Sequence, residues 1–215
     1  MIKAILFDFD GVLAETLAFH LRAWRQVFEE EGIEPEELTL RLNEGAPAYK
    51  IAQALAIRGG RELSEEDAKD IALKKNKIFR ATNKAKVYKE VSEIIALARD
   101  RGLKVGLVTG TALENLYAVL PEELLRNFDY IVKDGDTERG KPYPDPYLVA
   151  AEKLGLKPAE CLVLENAPLG VESAKAAGTF CVALETTLDR EHLQKADVVV
   201  KNHSEFLKKL DSLLS

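Results

Sequence analysis

The 215-residue chain has few cysteines, no long apolar stretch and no signal-peptide pattern, and each of these absences argues against a class of protein. Its two cysteines, Cys161 and Cys181, are too few for a disulfide framework or a structural zinc site. Buried thiols are expected, with a disulfide as the alternative because their segments could be neighbours. The apolar stretches fall well short of the roughly 20 residues that span a bilayer. The start MIKAILFDFDG lacks the basic and apolar regions of a signal peptide, so we expect a cytoplasmic protein without a membrane span.

Positive charge is also scarce. The chain has 30 Lys and Arg against 36 Asp and Glu, which gives a formal net charge of -6. This balance disfavours nucleic acid as a partner, because binding to the phosphate backbone needs clustered Lys and Arg. Small anionic ligands are not excluded, since a divalent cation and one or two lysines can reverse the charge locally.

Short apolar runs alternate with helical patterns along most of the chain. Helical patterns such as VSEIIALARDRG and DPYLVAAEKLGL separate the runs. The alternation predicts an α/β fold with a doubly wound, mostly parallel sheet, whose site lies at the carboxyl ends of the strands. The apolar runs are KAILFDFDGVL, LKVGLVTG, FDYIVKDG, ECLVLENA and TFCVALET.

Residues 16–83 interrupt this alternation between the first and second predicted strands. The segment is rich in helix formers, and ETLAFHLRAWRQVFEEEG has apolar residues at helical spacing. Ser64 is placed as the N-cap of a further helix, with Asp67 three residues later. We predict an all-helical cap domain over residues 16–83, inserted into a core domain formed by residues 1–15 and 84–215.

Asp8 and Asp10 are two residues apart at the end of the first run. On a straight strand both side chains would point to the same face. Two neighbouring carboxylates repel each other, and a cation between them or a proton on one of them relieves the repulsion. Gly11 then allows a sharp turn. For a lone acidic pair a solvated turn would be the favoured interpretation, but the motifs at the other strand ends argue strongly against it here.

The run FDFDGVL resembles the first signature of the haloacid dehalogenase superfamily, and GLVTGTA, RGKPYPDPYL and CLVLENAPLGVESAKAAG resemble the other three in order. The resemblance covers essentially the whole chain. It implies a phosphohydrolase that uses Mg²⁺ and forms an aspartyl phosphate on Asp8. Asp10 would protonate the leaving group and then activate water. Because dehalogenases of the superfamily lack the second aspartate, Asp10 argues for phosphate chemistry.

The second and third signatures supply groups for the phosphoryl oxygens. By the resemblance, the Thr109 hydroxyl binds a phosphoryl oxygen, while Gly110 and Thr111 add backbone N–H donors. Lys141 would neutralise charge on the nucleophile and the phosphoryl group, and phosphoryl transfer depends chiefly on such positioned charge. Thr109 and Lys141 are therefore candidate catalytic residues beside the two aspartates.

The fourth signature completes the predicted magnesium site, which consists of Asp8, Asp10, Glu165 and Asn166. Many relatives carry Asp where this chain has Asn166. An amide oxygen coordinates Mg²⁺ without adding charge, so we expect weaker metal binding or a more anionic substrate. Our prediction is that Asn166 binds the metal directly while Glu165 orients metal-bound water.

The predicted cap and its run HLRAW resemble the beta-phosphoglucomutase-like branch, in which a helical cap closes over the site. His20 in this run is a candidate substrate contact, with simple packing as the alternative. Mutases of this branch grip a second phosphate with a cap arginine, whereas the run NEGAPAYK places Ala48 there. Lys50 or Lys75 would be weaker substitutes for its bidentate fork. A sugar phosphomutase is therefore an alternative and not the favoured function.

Glu44 in the same run resembles a subset of the branch that includes inorganic pyrophosphatases. A cap carboxylate there could bind magnesium-bound water over a small, highly charged substrate, and a solvated charge at a helix start is the alternative. We expect a phosphatase for small phosphorylated compounds, with pyrophosphate favoured, and hold a weak phosphate-binding module as a further alternative. A monomer or weak homodimer is expected, without nucleic acid or membrane partners.

Overall fold

The computed structural model describes residues 1–214 and contains one six-stranded sheet. Its order is β3-β2-β1-β4-β5-β6, and every neighbouring pair is parallel. The predicted α/β fold with a parallel sheet is thereby confirmed. The strands are β1 (Ala4–Phe7), β2 (Lys104–Val108), β3 (Tyr130–Val132), β4 (Cys161–Glu165), β5 (Phe180–Leu184) and β6 (Val198–Val200).

Ten α-helices lie within residues 1–214. None of them combines the length and the apolar character that crossing a bilayer requires. Two short 3-10 helices, Pro158–Glu160 and Arg190–His192, complete the regular structure. The α-helices are α1 (Leu17–Glu29), α2 (Glu37–Leu42), α3 (Ala48–Arg58), α4 (Glu65–Thr82), α5 (Val91–Asp100), α6 (Leu113–Tyr117), α7 (Glu122–Leu125), α8 (Asp145–Lys153), α9 (Pro168–Ala176) and α10 (His203–Leu214).

Strand β1 lies at the centre of the sheet between β2 and β4. All four of its residues are buried, because helices cover both faces of the sheet and each face needs apolar side chains. Phe7 packs in one hydrophobic cluster with Phe206 of α10, and Leu6 packs in the opposite cluster with Tyr147 of α8. The carboxyl ends of β1, β2 and β4 therefore meet at one edge, in the middle of the molecule.

Helices α1 to α4 form a layer of their own between β1 and β2. Their hydrophobic cluster includes Trp24, Phe28 and Leu55, which are buried. Ser64 caps α4 as predicted, since its Oγ accepts a hydrogen bond from the Asp67 amide at 3.1 Å. The helical cap is thus confirmed, while the exact domain limits at residues 16 and 83 stay a prediction.

The two crossings between cap and core run side by side. The amide of Glu15 donates to the Lys86 carbonyl at 2.9 Å, and the amide of Tyr88 donates to the Leu13 carbonyl at 3.0 Å. The two predicted domain limits, near residues 15 and 84, therefore lie next to each other, which suits motion of the cap as one body.

The cap rests directly on the core. Arg41 Nη1 in α2 donates to the Thr187 carbonyl of the core at 2.6 Å. Gly110 lies so close beneath the cap that a Cβ atom there would meet the Gly45 carbonyl oxygen at 2.6 Å. The segment 43–47 consequently covers the carboxyl ends of the central strands.

Two sequence expectations need comment. Cys161 and Cys181 are free, buried thiols on neighbouring strands, and Cys181 is paired in register with Val163. The alternative of a disulfide between them is therefore wrong. Strand β6 was not predicted, because its three valines follow a polar stretch and give too short a pattern.

Candidate active site

Asp8 is the first residue after β1 and lies at the centre of the site. The strand ends at Phe7 instead of continuing through Asp10, and the chain turns at Gly11, whose φ is +77°. The straight-strand geometry that we assumed for the two aspartates is therefore wrong. Both carboxylates nevertheless line one cavity, as their spacing predicted.

Lys141 lies between two carboxylates. Its Nζ donates to Asp8 Oδ1 and to Glu165 Oε1, both at 2.6 Å, and to the Val108 carbonyl at 3.2 Å. All three charged side chains are buried, with exposures of 5% or less. When both carboxyl groups are ionised, this cluster has a net charge of -1, which favours an additional cation nearby.

The charges in this cluster shift each other's proton affinity. Burial raises the pKa of Asp8 to about 8, against the lowering effect of Lys141 and with further rises from Glu165 and Asp10. For Lys141, burial would lower the pKa, but Asp8 and Glu165 raise it above its usual value. Lys141 therefore stays charged at neutral pH, and it holds Asp8 in place.

Both carboxylate oxygens of Glu165 accept hydrogen bonds. Its Oε1 accepts from Lys141 and from the Tyr147 hydroxyl at 2.8 Å, and its Oε2 accepts from the amides of Asn166 at 2.9 Å and Ala167 at 3.3 Å. A Cβ atom on Gly170 would collide with this carboxylate, so only glycine fits there. The arrangement suits Glu165 to positioning Lys141, and its role toward metal-bound water stays a prediction.

Asn166 offers an acceptor that no group within residues 1–214 uses. Its Nδ2 donates to Thr187 Oγ1 at 2.6 Å, while its buried Oδ1 has no hydrogen-bond partner among residues 1–214. An unpaired buried acceptor costs about 1–3 kcal/mol, so a ligand at this oxygen is favoured. Oxygen donors such as Asn166 and Asp8 are those that Mg²⁺ prefers. The residues present therefore fit the magnesium ion that the family resemblance implies.

No group of three or more His, Cys, Asp or Glu side chains within residues 1–214 is arranged to hold a metal ion. An amide oxygen and other oxygen donors would have to complete the coordination of a bound cation. The use of Asn166 for this purpose stays a prediction.

Asp10 is held by both cap and core. Its Oδ1 accepts from Thr16 Oγ1 at 2.6 Å and from His20 Nε2 at 3.0 Å, and its Oδ2 accepts from Thr111 Oγ1 at 2.7 Å. Burial alone would raise its pKa, but His20 and the two hydroxyls lower the pKa to about 2. Asp10 is therefore an anion at neutral pH and able to accept a proton. With three donors on its carboxylate, it suits proton transfer better than metal binding.

Lys75 of α4 lies behind His20. Its Nζ donates to His20 Nδ1 at 2.8 Å, which leaves the Nε2 proton for the bond to Asp10. Burial and the charge of Lys75 lower the pKa of His20, and burial lowers the pKa of Lys75 to about 8, despite Asp10 and Glu44. The His20 ring also stacks on Phe79 at a centroid distance of 4.0 Å. His20 thus combines packing with a polar contact to the site.

Thr109 directly follows β2, and its Oγ accepts a hydrogen bond from the Thr111 amide at 3.0 Å. Thr109, Gly110 and Thr111 all line the cavity beside Asp8. Because the Thr111 amide and hydroxyl are engaged by Thr109 and Asp10, Gly110 is the better candidate backbone donor for a phosphoryl oxygen.

These residues surround a cavity of about 50 Å³. Glu44 is only 7% exposed there, and both of its carboxylate oxygens lack a hydrogen-bond partner within the described chain. Burial raises its pKa well above the usual value, and the charges of Asp10 and Asp8 add to the rise. The alternative of a solvated charge at a helix start is therefore wrong. The cap side chains that line the cavity include His20, Trp24, Glu44, Ala48 and Lys75.

No side chain at the position expected for the mutase arginine can form the bidentate hydrogen bonds of a guanidinium group. Ala48 lines the cavity, and no arginine of the described residues does. Lys50 is exposed and borders an adjoining, larger open groove of about 540 Å³ between cap and core. Lys75 is thus the cap cation of the buried cavity.

Several site residues were not singled out from the sequence. Thr16 and Trp24 lie four residues before and after His20, so helical spacing would have placed them on the same face. Thr187 follows the carboxyl end of β5, where site residues are expected in a parallel sheet. Tyr147 lies within the third signature, but nothing in the pattern indicated its bond to Glu165.

Comparisons with known proteins agree with this geometry. The family model described as haloacid dehalogenase-like hydrolase matches residues 2–178. Validoxylamine A 7'-phosphate phosphatase from Streptomyces hygroscopicus subsp. limoneus is 31% identical over 207 residues, covering 95% of this chain and 96% of that protein. Beta-phosphoglucomutase from Bacillus subtilis (strain 168) is 26% identical, covering 94% and 91%.

A solved structure gives the same result. CbbY from Rhodobacter sphaeroides in complex with phosphate superimposes with a TM-score of 0.82 at 27% identity, covering 98% of this chain and all of that chain. The chain therefore belongs to the haloacid dehalogenase-like hydrolases, in their beta-phosphoglucomutase-like branch, and it is a phosphohydrolase.

Proposed function

We propose that the protein is a magnesium-dependent phosphatase that passes the phosphoryl group of a small compound to Asp8 and then to water. The observation that carries this proposal is the buried Asp8 carboxylate, which Lys141 holds at 2.6 Å beside the anionic Asp10. Asp8 attacks phosphorus, the bond from phosphorus to the leaving oxygen breaks, and an aspartyl phosphate forms. When bound, Mg²⁺ adds positive charge at the phosphoryl group, with Asp8 and Asn166 as the residues that would hold it.

Asp10 handles the protons. Once it carries a proton, it gives that proton to the leaving oxygen in the first step. It then takes one proton from the water that attacks the aspartyl phosphate, so that phosphate leaves and both aspartates are restored.

Pyrophosphate is the substrate that we favour. The cavity of about 50 Å³ is far below the roughly 300–1,000 Å³ typical of sites for larger ligands. It holds the cation of Lys75 and the carboxylate of Glu44, and Glu44 could face a phosphate through a proton or a magnesium-bound water. These features suit a compact, highly charged substrate.

A sugar phosphate phosphatase is the second candidate. The relative named validoxylamine A 7'-phosphate phosphatase favours it, and so does the open groove, which shares Thr109, Gly110 and Lys141 with the site. A phosphomutase is disfavoured by Ala48, and a mere binding module by the complete set of Asp8, Asp10 and Lys141. A cytoplasmic location and a monomer or weak homodimer stay predictions from the sequence.

Phosphate release from pyrophosphate, phosphoglycolate and beta-glucose 1-phosphate, with and without Mg²⁺, tests the proposal. Asp8→Asn should be inactive on all three, and Glu44→Ala should lose pyrophosphate selectively. Glu66→Ala is the matched control, because Glu66 is an exposed carboxylate on the same cap. Full activity of Asp8→Asn would overturn the mechanism. Preference for organic esters with an unchanged Glu44→Ala would instead favour the sugar phosphatase.

A further inference from the structure

Buried polar atoms without a partner indicate where the site can bind a ligand. Within residues 1–214, such side-chain atoms occur on three residues, namely Trp24, Glu44 and Asn166. Unsatisfied buried groups are rare in folded proteins, so each requires an explanation. The proposed metal accounts for Asn166 Oδ1. Trp24 and Glu44 line the same cavity and remain to be explained.

Trp24 contributes a hydrogen-bond donor that no group of the described residues accepts. The side chain is 1% exposed, and its Nε1 has no partner in the described chain. An indole N–H donates one hydrogen bond and accepts none, so its partner must carry an acceptor. Lys75 Nζ lies 5.2 Å from the centroid of the Trp24 ring and provides a second donor on this wall of the cavity.

We propose that Trp24 is a substrate-binding residue whose Nε1 donates a hydrogen bond to an oxygen of the leaving group, beside the ammonium of Lys75. This inference rests on the proposed phosphatase function and names the substrate feature that the cap selects. The required class is a phosphate compound whose leaving group carries a further acceptor oxygen. Pyrophosphate and a phosphorylated polyol both qualify. An apolar leaving group would fill the cavity and leave Nε1 unpaired, which costs affinity.

Trp24→Phe is the sharpest variant, because phenylalanine keeps an aromatic ring in the cap and removes the N–H. The kinetics of pyrophosphate, glycerol 1-phosphate and phenyl phosphate should be compared in parent and variant. We expect the ratio of kcat/KM for the acceptor-bearing substrate over phenyl phosphate to fall about tenfold, mostly through KM, as for the loss of one hydrogen bond to a charged oxygen. Whether pyrophosphate or glycerol 1-phosphate shows the loss identifies the source of the acceptor.

Phe28→Leu is the packing control. Phe28 is buried on the same helix but does not line the cavity. A purely structural role of Trp24 predicts that both variants lower the melting temperature and slow all substrates alike. Equal losses on every substrate, or an unchanged ratio in Trp24→Phe, would overturn the inference.

Fluorescence and calorimetry give a second test, which measures binding without turnover. The chain contains a single tryptophan, so its emission reports on this cavity alone. Titrating Asp8→Asn with pyrophosphate in Mg²⁺ should change the emission and saturate, and calorimetry should show about tenfold weaker binding when Trp24→Phe is added. Saturable binding without an emission change would refute the contact. Hydrolysis that does not depend on Asp8 would refute the proposed function instead, so the two failures are distinguishable.

Discussion

Lys141 in the core and Glu44 in the cap are both buried, ionisable and adjacent to the nucleophile, yet their surroundings differ. Lys141 Nζ has three acceptors, at 2.6, 2.6 and 3.2 Å. Glu44 has no hydrogen-bond partner for either oxygen among residues 1–214. Apart from Asn166 Oδ1, the core half of the site is paired before any substrate arrives, whereas Glu44 and Trp24 Nε1 in the cap are not.

This difference separates the residues that carry out the reaction from the residues that select the substrate. Paired groups in the core need no rearrangement during the reaction, and such preorganisation is the main source of electrostatic catalysis. Each unpaired group in the cap costs about 1–3 kcal/mol, which the right substrate can recover and a wrong one cannot. We therefore infer that the core determines the reaction and the cap determines which compounds undergo it.

Removing the Lys141 cation from the core half of the site should have the largest effect on stability and activity. In Lys141→Met, Asp8 and Glu165 are left buried without their cation, so we expect stability to fall by about 3–5 kcal/mol at pH 7. Hydrolysis should fall by more than about 10³-fold, because the charge on the phosphoryl group is no longer countered. Denaturant unfolding and phosphate release measure the two effects. Lys153→Met, at an exposed position on α8, is the control, and a stable, active Lys141→Met would contradict the comparison.

Asn166→Asp should strengthen metal binding in the core half of the site. The change replaces a neutral metal donor by a charged one, and the Thr187 hydroxyl can turn to donate to the new carboxylate. We expect the Mg²⁺ concentration for half-maximal activity to fall about tenfold, since affinity for hard cations rises with the charge of the ligands. Calorimetric titration with Mg²⁺ measures the same effect without turnover. Unchanged or weaker Mg²⁺ binding would mean that residue 166 does not contact the metal.

The sequence predicts the core half better than the cap half, for a physical reason. Asp8, Thr109 and Asn166 follow buried strands, and parallel strands gather their carboxyl ends at one edge whatever the loops do. Helical spacing likewise identifies the faces of α1 and α4 that carry apolar residues. It does not say which polar residues meet the core, because that depends on how the cap docks.

Glu44 and Trp24 illustrate this limit. From the sequence, Glu44 was as compatible with solvent as with the site, and Trp24 was simply an apolar residue. Their roles depend on the contact of segment 43–47 with Gly110, which is a long-range feature of the closed cap. Local patterns contain no information on it.

Glu44→Gln should stabilise the protein at alkaline pH, where ionisation of the buried Glu44 carboxyl group destabilises the parent. The folded pKa of Glu44 lies well above its ordinary value of 4.5, so the folded state holds the proton more tightly than the unfolded state. Stability from this group is present below pH 4.5 and is lost as the pH rises toward the folded pKa. We expect Glu44→Gln to melt a few degrees above the parent at pH 8, for a gain of roughly 1–2 kcal/mol, and level with it at pH 4.5.

Scanning calorimetry without Mg²⁺ or phosphate measures this difference. Glu66→Gln, at an exposed cap position, should show no pH-dependent gain. A parent that melts above Glu44→Gln at pH 8 would mean that the Glu44 carboxylate has a partner, and the contrast between cap and core would be lost.

Tyr147→Phe should have the smallest effect, because it removes one of several bonds in the paired half. Glu165 Oε1 loses the hydroxyl at 2.8 Å but keeps Lys141 at 2.6 Å, so the expected cost is about 1 kcal/mol of stability. We expect kcat to fall about two- to fivefold with KM unchanged, since Tyr147 acts only through Glu165 and Lys141. Tyr143→Phe, at a half-exposed position, is the control in the same kinetic assay. A loss in Tyr147→Phe as large as in Lys141→Met would show that the pairing of the core is cooperative, with each bond required by the others.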